Sequence, residues 1–353
     1  MTAIYSLLHM LVDGVCALAM FGSLAKGDNG QFVMLLYNFC AFALQMPLGT
    51  VLDLLILRKA KHKESLAFGF AAVGVAMTLA GAFLHPVMLG IGNALFHIGG
   101  GVGTIQEDSA KGWKGRGLGV FVAPGALGLY IGTFLAKKGV WDRGLAIFGF
   151  ILLVLTILAS MWQKRTKDLP TPVVRESYKE QIGQKRIVLL ACCCFIVVIL
   201  RSYIGMAVSF PWKQMQVLAF VSILAVVAGK MAGGFFAAKY GHSKTTVITL
   251  ILAVVGYIGL ETAPFGLAAL FLFNMTMPMT LYLLIRALPD LPGFSFGLLT
   301  FGLFLGFLPV YFGITVPLSG QLLGGIGSLV SMMILLLGIW AGGKHGTISA
   351  GNV

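Results

Sequence analysis

Twelve apolar runs, each about long enough to cross a bilayer, constrain this chain more tightly than any other feature of its sequence. A hydrocarbon core about 30 Å thick takes roughly 20 residues of helix. Helices suit it because they close their own backbone hydrogen bonds where no water can. The runs lie near 3–24, 31–57, 66–84, 86–106, 117–136 and 140–162, then near 187–210, 214–238, 245–262, 264–284, 295–316 and 320–341. A polar stretch from Gln163 to Arg186, with Lys164, Arg165, Lys167, Pro170 and Pro172, separates the two sets. The expected fold is an all-α polytopic membrane protein of 12 transmembrane helices. Six occupy 1–162, a linker covers 163–186, and six occupy 187–353.

Composition closes off the alternatives. Only 10% of the 353 residues are charged and 58% are hydrophobic, which excludes an ordinary water-soluble enzyme. The mean hydropathy of +0.94 says the same. With 12 acidic residues the chain is no acidic disordered protein. Its net charge of +13 is spread over short clusters between apolar runs, so no contiguous face for nucleic acid is expected. The five cysteines, three of them consecutive at 192–194, show neither zinc spacing nor a disulfide framework. The first run lacks a basic leader and a small-residue cleavage site, and is expected to be a retained helix.

The basic residues set an orientation. Loops after the even-numbered runs, together with Lys344 in the tail, carry 18 Lys and Arg, among them Arg58, Lys59, Lys61 and Lys63. The opposite side carries five: Lys26, Lys137, Lys138, Arg143 and Lys213. Both termini are therefore expected in the cytoplasm, with the chain in the cytoplasmic membrane.

Ionisable groups inside the runs are costly and should face a bundle interior or an aqueous cavity. Asp13 is the only mid-membrane carboxylate, with His9 one turn earlier on the same helical face. The pair suits proton coupling or substrate contact, and equally a structural hydrogen bond fixing the first helix. Half a metal site is the weakest reading, and no metal is expected. Arg201, in the middle of the seventh run, needs an acidic partner or an anionic substrate; Asp13 is a candidate partner. His97 and Asn93 share a face in the fourth run, for a structural or a substrate role. Lys230 can extend its ammonium to the interface. The 47 glycines concentrate in runs four, five, eight and eleven, where they allow close helix approach.

Gly49-Thr-Val-Leu-Asp53, followed by Arg58, Lys59 and Lys61, resembles the G-x-x-x-D-R-x-G-R-[RK] loop of the major facilitator superfamily. Its pseudo-repeat stands at the same step of the second half, from Gly229 to Lys244, with Gly233, Lys239 and Gly241. Leu54 and Ala238 depart from the pattern, in place of Arg and Asp. Within the superfamily the chain is most similar to the fosmidomycin-resistance type of drug exporter. The resemblance rests on His9-Met-Leu-Val-Asp13, Gly90-Ile-Gly92-Asn93-Ala-Leu-Phe96-His97, the glycines Gly125, Gly128 and Gly132, and Arg201-Ser-Tyr203-Ile-Gly205. Ile98 replaces the proline usual after the histidine.

The resemblance implies two pseudo-symmetric six-helix bundles around a cavity, with alternating access by rocking. It implies proton-coupled efflux of a small compound or drug, an anionic one being the class that suits Arg201. Asp13 and His9 would couple the proton, and Arg201, His97, Asn93 and Tyr203 would meet substrate. Gly49, Asp53, Arg58 and Lys59 would form a cytoplasmic gate, the aspartate locking it through backbone donors and basic side chains. A monomer without cofactor is expected, its partners being substrate, proton and the lipid bilayer. The alternatives are a proton-coupled importer of a polar nutrient and a non-transporting receptor or scaffold.

Overall fold

The computed structural model describes residues 1–59, 63–166, 183–314 and 316–343. Lys61, Lys344 and most of the expected linker lie outside the described residues. Twelve helical spans are present among them, in the order the hydropathy predicts. They are α1 (Thr2–Leu24), α2 (Gly30–Arg58), α3 (Lys63–Leu84), α4 (Pro86–Ala110), α5 (Arg116–Lys137) and α6 (Trp141–Thr166). After the linker come α7 (Gln184–Ala207), α8 (Gln216–Tyr240), α9 (His242–Ile258), α10 (Ala263–Ala287), α11 (Pro292–Tyr311) and α12 (Gly320–Ala341). Eleven are long and apolar enough to cross a membrane; α9, at 17 residues, is the short one. The all-α polytopic fold is thus present.

The breaks between helices follow local chemistry. His85 adopts extended backbone before Pro86, and its Nδ1 accepts the Val87 amide at 3.2 Å, capping α4. Gly241 ends α8 at φ +87°, a conformation that side chains resist. Within α5 the helix is interrupted at Ala123-Pro124, since proline cannot donate to the preceding turn.

The chain forms two compact units. The first contains Met1–Trp113, Val120–Val174 and Asp290–Phe304; the second contains Lys114–Gly119, Arg175–Pro289 and Leu305–Val353. In the first unit α3 and α4 touch backbone to backbone along a row of glycines. A Cβ on Gly92 or Gly99 would collide with the backbone of Thr78 or Ala71. Lipid offers little hydrophobic drive for helix association, so this contact gains mainly from dispersion between closely set backbones. Gly99→Leu is expected to destabilise the protein by about 1–3 kcal/mol or more. The measurement is thermal unfolding in detergent; an unchanged midpoint would mean that the close approach contributes nothing. The outer face of α6 exposes Ile147, Phe150, Leu153, Ile157 and Met161, the apolar surface a lipid-facing helix requires.

α1 is pinned at its first turn by Glu107 of α4. The Glu107 carboxylate accepts the Thr2 amide at 2.6 Å and the Thr2 hydroxyl at 2.7 Å, and pairs with Lys111 at 2.7 Å. The orphan helix-start amide of Thr2 is therefore satisfied from another helix.

A buried histidine pair and carboxylate as the candidate functional site

α1, α4 and α5 meet around Asp13 in the first unit. The i, i+4 spacing of His9 and Asp13 puts both on the α1 face toward α4 and α5. Asn93 and His97 are likewise i, i+4 on α4. The structure brings all four together. Asn93 Nδ2 donates to Asp13 Oδ1 at 3.1 Å; His9 Nε2 lies 3.2 Å from Oδ2 and His97 Nε2 lies 3.6 Å from Oδ1. His9, Asn93 and His97 are buried, while the Asp13 side chain keeps 20% exposure.

The two rings fix each other's protonation. His97 Nδ1 is 2.8 Å from the Asn93 carbonyl, and His9 Nδ1 is 2.7 Å from the Phe121 carbonyl. A carbonyl only accepts, so both Nδ1 atoms must carry hydrogen. That leaves both Nε2 atoms without one in the neutral rings, yet they face each other at 2.9 Å. Two lone pairs at that distance repel unless a proton stands between them. A proton shared between the two Nε2 atoms, or hydrogens on Nε2 turned toward the Asp13 oxygens, would remove that repulsion.

The partners that aim the rings come from local sequence. The Ala123-Pro124 break leaves the Phe121 carbonyl in the last turn of the first α5 segment (Arg116–Val122), where carbonyls lack helical partners. His9 takes it. Gly125, just past the break, lies so close that a Cβ would land on His9 Nε2 and Asp13 Oδ2. Cys16 joins at the edge, its sulfur 3.5 Å from Asn93 Nδ2. Neither Phe121 nor Cys16 carries a sequence signature of this role. The Pro124 break was the available signal for the carbonyl.

His9, His97 and Asp13 each offer a ligand atom within 4.8 Å of the others, a donor set a divalent metal can take. The 2.9 Å between the ring nitrogens is a hydrogen-bond length. Two ligands of a tetrahedral zinc stand about 3.3 Å apart. The arrangement thus fits a proton better than a metal.

Of the other expected site residues, Arg201 and Tyr203 belong to the second unit, and Gly49, Asp53, Arg58 and Lys59 to the first. Arg201, in the middle of α7 in the second unit, is 8% exposed, and its Nε has no partner. Among the described residues its guanidinium makes no ion pair or hydrogen bond, and the partners of Asp13 all come from the first unit. The Tyr203 hydroxyl accepts the Val316 amide at 3.0 Å, tying α7 to the segment before α12.

Asp53, on α2, is 1% exposed and caps α11. Its Oδ1 accepts the Gly293 amide at 2.8 Å and its Oδ2 the Phe294 amide at 2.7 Å. Pro292 at the helix start and the positive dipole end make this a natural carboxylate seat. Gly49 completes it, because a Cβ there would strike the Gly293 carbonyl. Arg58 and Lys59, at the end of α2, are exposed and make no ion pair among the described residues.

No protein-family model matches the sequence, and no curated protein is significantly similar to it. Solved structures match over nearly the full length. The fucose:proton symporter FucP of E. coli covers 97% of this chain and 98% of its own, at 12% identity and a TM-score of 0.59. The human organic anion transporter MFSD10 (TETRAN) covers 96% and 98%, at 14% identity and 0.60. A bacterial homologue of the iron transporter ferroportin, in its outward-facing state, covers 97% and 98%, at 13% identity and 0.57. What these structures share with it is the architecture: this chain has the fold of the major facilitator superfamily of transporters.

Proposed function

We propose that the chain is a secondary transporter that exchanges protons for a small anionic compound, working as an exporter in the cytoplasmic membrane. The observation that carries this reading is the pair of ring nitrogens 2.9 Å apart beside Asp13, with both Nδ1 atoms already committed to carbonyls. Such a cluster is stable with its extra proton and strained without it. Losing the proton forces at least one ring to turn away, so proton occupancy is linked to the positions of α1, α4 and α5. His97 and Asn93 are therefore assigned to the proton site rather than to substrate.

The anion falls to Arg201, whose buried guanidinium is unpaired among the described residues and keeps its charge in an apolar setting. Tyr203, two residues on, is kept as a secondary substrate contact. Export follows from the resemblance to drug exporters, and inward termini follow from the loop charges. The test is a panel of organic acids, amines and neutral drugs applied to vesicles with and without the protein. Accumulation of one class, reversed in direction when the pH gradient is reversed, supports proton-driven transport. No protein-dependent movement of any class under either gradient would count against it.

The gate role belongs to Asp53 in this reading. What supports it is that Asp53 holds the first two amides of α11, within the first unit, through both carboxylate oxygens. Asp53→Asn keeps one acceptor and loses the charge, weakening the cap by about 1 kcal/mol. Turnover is expected to slow several-fold with substrate binding unchanged. Labelling of single cysteines placed along α11 reads the change; normal turnover with an unaltered labelling pattern would remove Asp53 from the gate.

A further inference from the structure

A cleft in the second unit carries charge that neither the proton cluster nor Arg201 uses. It has a volume of about 220 Å³ and is lined by Arg116, Phe235, Phe236, Lys239 and Tyr240. Arg116 begins α5 and Lys239-Tyr240 ends α8, so the cleft lies at the end of the spans whose loops are rich in Lys and Arg. Small residues bring these ends together: a Cβ on Gly234 would sit 2.6 Å from the Gly115 carbonyl, and one on Gly119 would sit 3.0 Å from the carbonyls of Lys230 and Met231.

The lining holds two cations and no acid. Among the described residues neither Arg116 nor Lys239 has an ion pair; the Lys239 ammonium rests 5.0 Å from the Tyr240 ring. The rings beside them face outward, Phe235 at 46%, Phe236 at 47% and Tyr240 at 51% exposure. An exposed lysine and a half-buried arginine next to exposed aromatic rings, at the end of a lipid-length helix, match one kind of ligand. A phosphodiester would meet the cations while its acyl chains run down the Phe235 and Phe236 face. Tyrosine at such a level suits the headgroup boundary.

We propose that this cleft binds the headgroup of an anionic phospholipid. Basic pockets between transmembrane helices at the positive side of a bilayer are favourable seats for such headgroups. A soluble anion would be drawn to the same cations but gains nothing from exposed phenylalanines, which is why the lipid is favoured over free phosphate.

The experiment reconstitutes the full chain in nanodiscs containing equal phosphatidylglycerol and phosphatidylcholine, extracts it in mild detergent, and counts retained lipids by native mass spectrometry. Wild type is expected to retain phosphatidylglycerol preferentially. Arg116→Gln with Lys239→Gln is expected to lose that preference, by about fivefold for each cation removed. Lys137→Gln with Lys138→Gln removes equal charge from the opposite end and is expected to leave the preference intact. Arg116→Lys with Lys239→Arg keeps the charges and is expected to keep it too, which separates lost charge from lost folding. Three results would overturn the proposal: equal retention of both lipids by wild type, an unchanged preference in the Gln double variant, or displacement of phosphatidylglycerol by millimolar inorganic phosphate.

Discussion

Asp13→Asn is expected to abolish accumulation driven by a pH gradient while sparing exchange of substrate at equal pH. One proton moving down one pH unit supplies about 1.4 kcal/mol, enough to concentrate a coupled substrate about tenfold. Without the carboxylate, a proton held by His9 and His97 has no counter-charge 3.2 to 3.6 Å away, and a bare cation in mid-span is costly. The accumulation ratio should fall from about tenfold to about one. Exchange needs no net proton movement and should stay within about twofold, since the Asn amide can still bond within the cluster. Flux measured in proteoliposomes, with and without an imposed gradient, reads both quantities. Full gradient-driven accumulation in Asp13→Asn would reduce Asp13 to a structural partner of Asn93.

The second large effect belongs to Arg201. Arg201→Gln removes the charge that holds an anion, and losing one partner of a buried charge pair costs about 2–5 kcal/mol. Apparent affinity for the transported anion should fall by roughly 30-fold or more. Arg201→Lys should recover part of it, because the charge returns without the planar fork that grips a carboxylate. The discriminating control compares an acid with its neutral amide. Wild type should prefer the acid, and Arg201→Gln should treat the two alike. Unchanged discrimination in Arg201→Gln would move the anion site elsewhere.

The spans were legible because lipid leaves a helix few alternatives to twenty apolar residues, and hydropathy reads that requirement directly. Even the short α9 stands where the ninth run predicts, although it covers 242–258 rather than 245–262. The His9-Asp13 pairing was legible for the same reason, since four residues make one helical turn. The meeting of His97 with His9 was not. It joins residues 88 apart and depends on how α4 rests against α1, a long-range packing that no local pattern fixes. The Phe121 carbonyl was harder still, because a backbone acceptor has no side-chain signature. Only Pro124 hints at it, by breaking the helix between Phe121 and Gly125, whose amide would otherwise be the helical donor to that carbonyl. Asp53 shows the reverse case: its motif marked it, but its donors, the Gly293 and Phe294 amides, lie 240 and 241 residues away on α11.

In the proposed mechanism the protein moves protons through the His9–His97–Asp13 cluster when it moves its substrate. Proteoliposomes loaded with a pH-sensitive dye test it without a labelled substrate. They are held at equal pH on both sides, given a panel of organic anions on one side, and made with wild type or Asp13→Asn. At least one compound is expected to shift the internal pH in wild type, and the same compound to shift nothing in Asp13→Asn. Substrate movement in wild type with no accompanying change in internal pH, or an equal pH change in both proteins, would contradict it.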